Sequence, residues 1–318
     1  MAEAERFFGW TPNPAATAAF VARLPKIYQD QIEEVCAEDD ERDALNYRAL
    51  TECLSSAGLS HWLRERDGVA CVRSLNQGPV GSCVGNAEAR LLDVLAAVEI
   101  CLGGEHEEFL ATFSPDGLYG LGREKGGMLG RGDGLYGSAI ADAVREWGTL
   151  HQVVYGAIDL RKYDPDRCRE YGRVGVPKEL KKLAVEHRVL HTALVRSAKE
   201  GWALLGAGYT INMCSSLGFQ GRRDNEGVIT RRGSWAHSMA VTSRRTTPKG
   251  DRVVLVHQSW GDDWTSGPYW EDQPWGSFWI RLEDFGAALA QGDSFVHAQY
   301  QGFVPRKLSD FGTREFLG

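Results

Sequence analysis

No stretch of this 318-residue chain approaches the roughly 18 consecutive apolar residues that a membrane-crossing helix needs. Its start, "MAEAERFFGW", lacks the basic segment and apolar core of a secretory signal. Basic charge is not in excess. The 36 lysines and arginines face 43 acids, a formal net charge of −7, so a nucleic acid or an anionic membrane finds no broad basic patch to bind. The acidic surplus is local: "EEVCAEDDERD" (33–43) holds seven acids and one arginine, the pattern of a solvated face. The seven cysteines (36, 53, 71, 83, 101, 168 and 214) are odd in number and scattered. None stand at zinc-knuckle spacing, and they offer no disulfide framework. No internal repeat is visible. These absences describe a protein of a reducing compartment such as the cytoplasm, without a metal or organic cofactor.

What is there fits an ordinary folded protein. Hydrophobic residues make up 43 % and charged residues 25 % of the chain, close to the globular average, and the length supports one large or two modest units. The first 70 residues read as mostly helical ("AATAAFVARL", "RDALNYRALTECL"). From Cys83 a strong helix begins, with Ala87, Leu91, Leu95, Val98 and Leu102 on one face and Gly103–Gly104 to end it. The segment 117–137 holds nine glycines. It has no phosphate-loop lysine motif and no preceding strand, so a surface loop is expected there. "SAIADAVREWG" (138–148) reads as another amphipathic helix. After about residue 200, "AHSMAVTSR", "RVVLVHQSW" and "GSFWIRL" read as strands. Helices first and strands second imply an α+β fold with two lobes and a cleft between them.

A thiol is a useful nucleophile only as the thiolate, and a helix N-terminus favours that charge. Cys83, in "NQGPVGSCVGNAEA" (76–89), has this placement, although a cysteine there could equally be a small packed residue. A nucleophile also needs a base. His237 in "GSWAHSMAV" and His257 in "LVHQSWG" are the two candidates, whereas His61, His106, His151 and His297 have no supporting context. His187 and His191 are four apart and could share a helix face as metal ligands, but no third ligand is near them in sequence.

These blocks resemble the papain family of cysteine peptidases. "NQGPVGSC" is similar to the family's Gln-Gly-x-Cys-Gly-Ser-Cys signature, "AHSMAV" to its His-Ala-Val segment, and "VHQSWGDDWTSGPYW" to its Asn-Ser-Trp-Gly-x-x-Trp-Gly block. "GSCVGNA", "GWTPNP" and "YGSAIADAVREWGTLHQVVY" resemble an atypical microbial or viral branch whose motif runs Gly-Ser-Cys-x-Ala-Asn-Ala. Cys83 and His237 are 154 residues apart, near the family's usual ~130–150. The resemblance implies a papain-like α+β fold: a helical lobe (71–195) and a strand-rich, barrel-like lobe (196–318), preceded by a mostly helical extension (1–70). It implies Cys83 as nucleophile and His237 as its proton partner, the pair resting as thiolate and imidazolium. Gln258 would orient the histidine, Gln77 would donate to the oxyanion with the Cys83 amide, and Trp260 would shield the histidine.

This sequence departs from the family pattern at four points. Val80 replaces the cysteine that is disulfide-bonded in secreted members, and Val84 replaces the tryptophan after the nucleophile. No Glu-Arg-Phe-Asn-type helical prosegment appears in residues 1–70. The orienting asparagine is Gln258, whose extra methylene requires the side chain to fold back or the histidine to move. Two readings follow. One is a peptidase acting on peptide or protein substrates, with weakened turnover. The other is a catalytically impaired structural or binding component with protein partners in a larger assembly, such as a virion subunit, and then particle-associated.

Overall fold

The computed structural model describes residues 8–103 and 108–300. The outer ends of the extension and of the strand-rich segment, and His106, lie outside the described residues. In chain order the elements are α1 (Pro14–Val21), α2 (Lys26–Glu38), α3 (Tyr47–Ser56), β1 (Leu63–Arg66), β2 (Val69–Val72), α4 (Cys83–Gly103), α5 (Pro115–Lys125), α6 (Gly137–Glu146), β3 (Val154–Tyr155), β4 (Ile158–Asp159), α7 (Pro165–Val174) and α8 (Lys178–Ala184). There follow β5 (Val189–Leu194), α9 (Ala198–Gly206), β6 (Ile211–Phe219), β7 (Arg231–Thr246), β8 (Arg252–His257), β9 (Phe278–Arg281), α10 (Leu282–Leu289) and β10 (Phe295–Tyr300). This is the papain-like α+β fold, with a helical lobe around α4–α7 and a sheet lobe.

The sheet lobe is one six-stranded antiparallel sheet in the order β5-β10-β6-β7-β8-β9. The β6–β7 pairing shifts register beyond Ser215–His237, between Ser215 and Leu217, which bends β7 at the lobe boundary. Helix α4 is buried on nearly every side, its polar Asn86, Glu88, Arg90, Asp93 and Glu99 included, and packs in the centre against α3, α5, β6 and β7. The sequence pattern predicts burial of one face only; the other faces are buried too because α3, α5 and the sheet enclose the helix.

Only part of the glycine-rich segment 117–137 is the expected surface loop, the largely exposed turns at 127–133. Residues 117–125 belong to α5, opened by Pro115 and by a Ser114 cap on the Gly117 amide. Helix propensity argues against so many glycines, but close packing requires them. A Cβ at Gly120 would stand 2.7 Å from Tyr171 Cβ and from Val176 Cγ2, and one at Gly85 of α4 would stand 2.9 Å from Tyr119. Helices α4, α5 and α7 approach closely because these residues have no side chain.

The extension is packed into the rest of the molecule. Trp10, Ile32, Val35, Ala49, Leu50 and Leu54 belong to the same apolar core as α4 and β6. Asn46 Nδ2 donates to both Leu205 O and Thr242 O at 2.9 and 2.8 Å. All seven cysteines are free thiols. No helix among the described residues is long and apolar enough to cross a membrane.

Candidate active site

Four chain segments meet where α4 begins. The loop before Cys83 is fastened to the loop after β8 by Gln77 N donating to Ser259 O (2.8 Å), by Ser259 Oγ donating to Gln77 Oε1 (2.6 Å), and by an Asn76–Trp260 bridge. Strand β7 brings His237. Its Nε2 lies 2.6 Å from Gln258 Oε1, an oxygen that also accepts from Ser259 N at 2.8 Å. Because that oxygen is an acceptor twice over, the imidazole must donate from Nε2, so the neutral ring carries its lone pair on Nδ1. Nδ1 is buried without a hydrogen-bond partner. The Trp260 ring lies over His237 with centroids 4.6 Å apart. His237, Gln258, Gln77 and Trp260 are thus linked, Cys83 lies against the Ser238 backbone next to His237, and Gln258 folds back far enough to reach the imidazole.

The other histidines go elsewhere. His257 Nε2 is bonded to Thr242 Oγ1 (2.9 Å), and His297 stands 2.9 Å from Glu88 in the interior. His187 and His191 share no helix face, because His187 packs on His151 while His191, on β5, stacks on Tyr28. No cluster of three or more metal-binding side chains occurs among the described residues.

Electrostatics correct the expectation of a resting thiolate. Burial pushes the Cys83 thiol up to about 12, although hydrogen bonding from the backbone at Ser238, Gly9, Val84 and Cys83 itself pulls the other way. Burial likewise lowers His237 to about 4, against the opposing bond to Gln258. The helix end does favour charge on the sulfur, but in a dry site desolvation outweighs it. Both shifts favour a neutral thiol and a neutral imidazole while the site is buried.

The site is buried because residues 8–10 of the chain itself lie across the cleft. Gly9 N and Trp10 N donate to Ala236 O, next to His237, at 3.2 and 3.1 Å. On the opposite wall Leu135 N donates to Gly9 O (2.7 Å) and Thr11 N to Leu135 O (2.9 Å), a parallel bridge. Phe8 sets its ring 6.2 Å from His237 and 5.9 Å from Trp260, edge to face. Trp10 is buried and its ring N–H donates to Asp293 Oδ2 at 2.8 Å. Asp293 is not among the sequence expectations; for residues 1–70 the sequence leaves open bracing the helical lobe, blocking the cleft or binding a partner. The one signal in the sequence was "GWTPNP".

Solved cysteine proteases share this architecture. Xylellain, a cysteine protease from Xylella fastidiosa, superposes with a TM-score of 0.53 at 14 % identity, over 94 % of this chain and 98 % of that one. Procathepsin B S9 from Trypanosoma congolense superposes with a TM-score of 0.52 at 13 % identity, over 94 % and 88 %. No family model matches the sequence, and no curated protein is similar to it. At these identities the likeness establishes the papain-like fold.

Proposed function

We propose that this chain is a papain-like cysteine peptidase that rests with its cleft closed. The observation that carries the reading is the His237–Gln258 bond at 2.6 Å, which leaves Nδ1 unpartnered on the strand whose next residue, Ser238, hydrogen-bonds to the Cys83 sulfur through its backbone. When residues 8–10 leave, water enters, the desolvation that holds both groups neutral is relieved, and the proton of the Cys83 thiol passes to His237 Nδ1. The thiolate then attacks the substrate's peptide carbonyl. The developing oxyanion is met by the Cys83 amide and the Gln77 side-chain amide, whose orientation Ser259 Oγ and Val80 O fix at 2.6 and 2.8 Å. Removing such a donor costs ~10²–10³ in rate. The imidazolium gives its proton to the leaving amine, and water, deprotonated by the same nitrogen, hydrolyses the thioester.

The substrate class is a peptide or protein. Labelling with a peptidyl electrophile, followed by identification of the modified residue, tests the reading. Modification of Cys83 together with hydrolysis that Cys83→Ala abolishes is expected. An opened cleft with an alkylatable Cys83 but no hydrolysis would leave the binding-component reading in its place.

A further inference from the structure

The segment in the cleft is a peptide bound to the site, and its contacts divide into two kinds. The bonds to Ala236 and Leu135 are made by main-chain atoms, which any extended peptide possesses, so they confer affinity without selection. Selection resides in two side-chain positions. Gly9 lies against Gly81, two residues before Cys83, and a Cβ added to it would collide with the Gly81 carbonyl. Trp10 fills a pocket whose floor is the carboxylate of Asp293, itself 3 % exposed.

That carboxylate is built into the fold independently of Trp10. It accepts from Gly137 N (2.7 Å) and Ser138 N (2.9 Å), the first amides of α6, and from Thr17 Oγ1 (2.8 Å). Trp10 supplies the remaining bond. A cavity of about 490 Å³ adjoins it, and the N-terminal chain itself, through Trp10, Pro12 and Thr17, forms much of its wall. When residues 8–10 leave, the carboxylate faces the emptied cleft, still held by the α6 amides and Thr17 and short of the one donor that Trp10 supplied.

We propose that the Asp293 pocket is the specificity pocket of the cleft, that it takes a tryptophan side chain by its ring N–H, and that the incoming peptide carries glycine beside that tryptophan. The substrate or inhibitor class is thus a Gly-Trp peptide, of which Phe8-Gly9-Trp10 is the resident copy. This rests on the peptidase reading only for what happens after binding. A charge-assisted bond to a buried carboxylate is worth about 1.5–3 kcal/mol, or roughly a tenfold to hundredfold preference over an isosteric side chain without the donor.

The test uses the full chain and reads iodoacetamide labelling of Cys83, mapped by mass spectrometry, so it needs no turnover. Gly9→Ala should dislodge the segment and speed labelling by about tenfold or more. Trp10→Phe, which keeps an apolar ring but lacks the N–H, should act in the same direction if Gly9→Ala folds poorly. In the opened protein, acetyl-Phe-Gly-Trp-Thr-amide should protect Cys83. The analogues with 1-methyltryptophan or with alanine in place of glycine should protect at least about tenfold less well. Equal protection by the methylated peptide, or stronger protection by an arginine analogue, would overturn tryptophan selection. Labelling of both variants as slow as wild type would overturn the occupancy itself. Protection without any hydrolysis would sink the peptidase reading and leave the pocket assignment standing.

Discussion

Two residues decide how this site behaves, and both are set by water. Cys83 is fully buried, and with its thiol pushed up to about 12 the thiolate fraction at pH 8 is roughly a thousandfold below that of an ordinary cysteine. A raised thiol is neutral below its pKa, so alkylation of wild-type Cys83 should climb about tenfold per pH unit from pH 8 towards 11. An opened variant should instead plateau earlier. A flat profile in wild type over this range would contradict the dry, neutral pair. The second residue is Gln258. Its oxygen reaches His237 Nε2 while holding the Ser259 amide, so the glutamine achieves the geometry that its extra methylene put in question. Gln258→Asn shortens this reach, and on the proposed peptidase reading turnover of the opened protein should fall about tenfold or more, since misplacement by about 1 Å costs up to 10²-fold. A rise in kcat on that substitution would show that Gln258 holds the ring badly.

At the scale of elements, the sequence was most readable where one periodicity ran unbroken. The apolar stripe from Ala87 to Leu102 announced α4, and the β-branched and aromatic runs announced β7, β8 and β9. It was least readable where packing overruled propensity. Nine glycines between 117 and 137 spell a loop to any local rule, yet Gly117, Gly120 and Gly122 lie in α5 because its neighbours come within reach of its backbone. The crossing of α4 and α5 makes the same point from the other side. Gly85, two residues into the helix that Cys83 opens, has Tyr119 Cβ and N at 2.9 Å and Pro115 O at 3.0 Å from where a Cβ would stand. Tyr119 is anchored by its hydroxyl accepting from Gly134 N (3.0 Å), so it cannot simply swing away. Gly85→Ala should therefore cost about 1–3 kcal/mol by overpacking, despite alanine's better helix propensity. The urea midpoint checks this: an unchanged or higher midpoint would mean that the crossing relaxes freely.

At the scale of the whole molecule, the motifs of the candidate site stand out in the sequence because each is local, whereas the sheet order does not, because β10 enters between β5 and β6 from the far end of the chain. The attachment of residues 8–62 was hidden for the same reason: its contacts reach far along the chain, as from Trp10 and Thr17 to Asp293 and from Tyr47 to Asp272. Arg244 on β7 is the clearest of them. Only 1 % exposed, it forms an ion pair with Asp39 at 2.7 Å and donates to Arg42 O and Trp202 O, both at 2.8 Å. Next to it, Ala44 pairs with Arg244 through main-chain bonds of 2.9 Å in both directions. One side chain thus joins the end of α2, helix α9 and the sheet that carries His237. Removing one partner of a buried pair is expected to cost about 3–5 kcal/mol, and the lower end applies because Asp39 retains some contact with water. Arg244→Met should lower stability by about 3 kcal/mol. Since Ile32, Val35 and Leu50 sit in one core with α4 and β6, this loss should move a single cooperative transition, followed alike by tryptophan fluorescence and far-ultraviolet dichroism. An early transition that frees residues 8–62 while the lobes stay folded would show instead that the extension is a separately melting cover. Labelling of Cys83 during the same titration would then precede global unfolding, whereas in a single cooperative unit it tracks it.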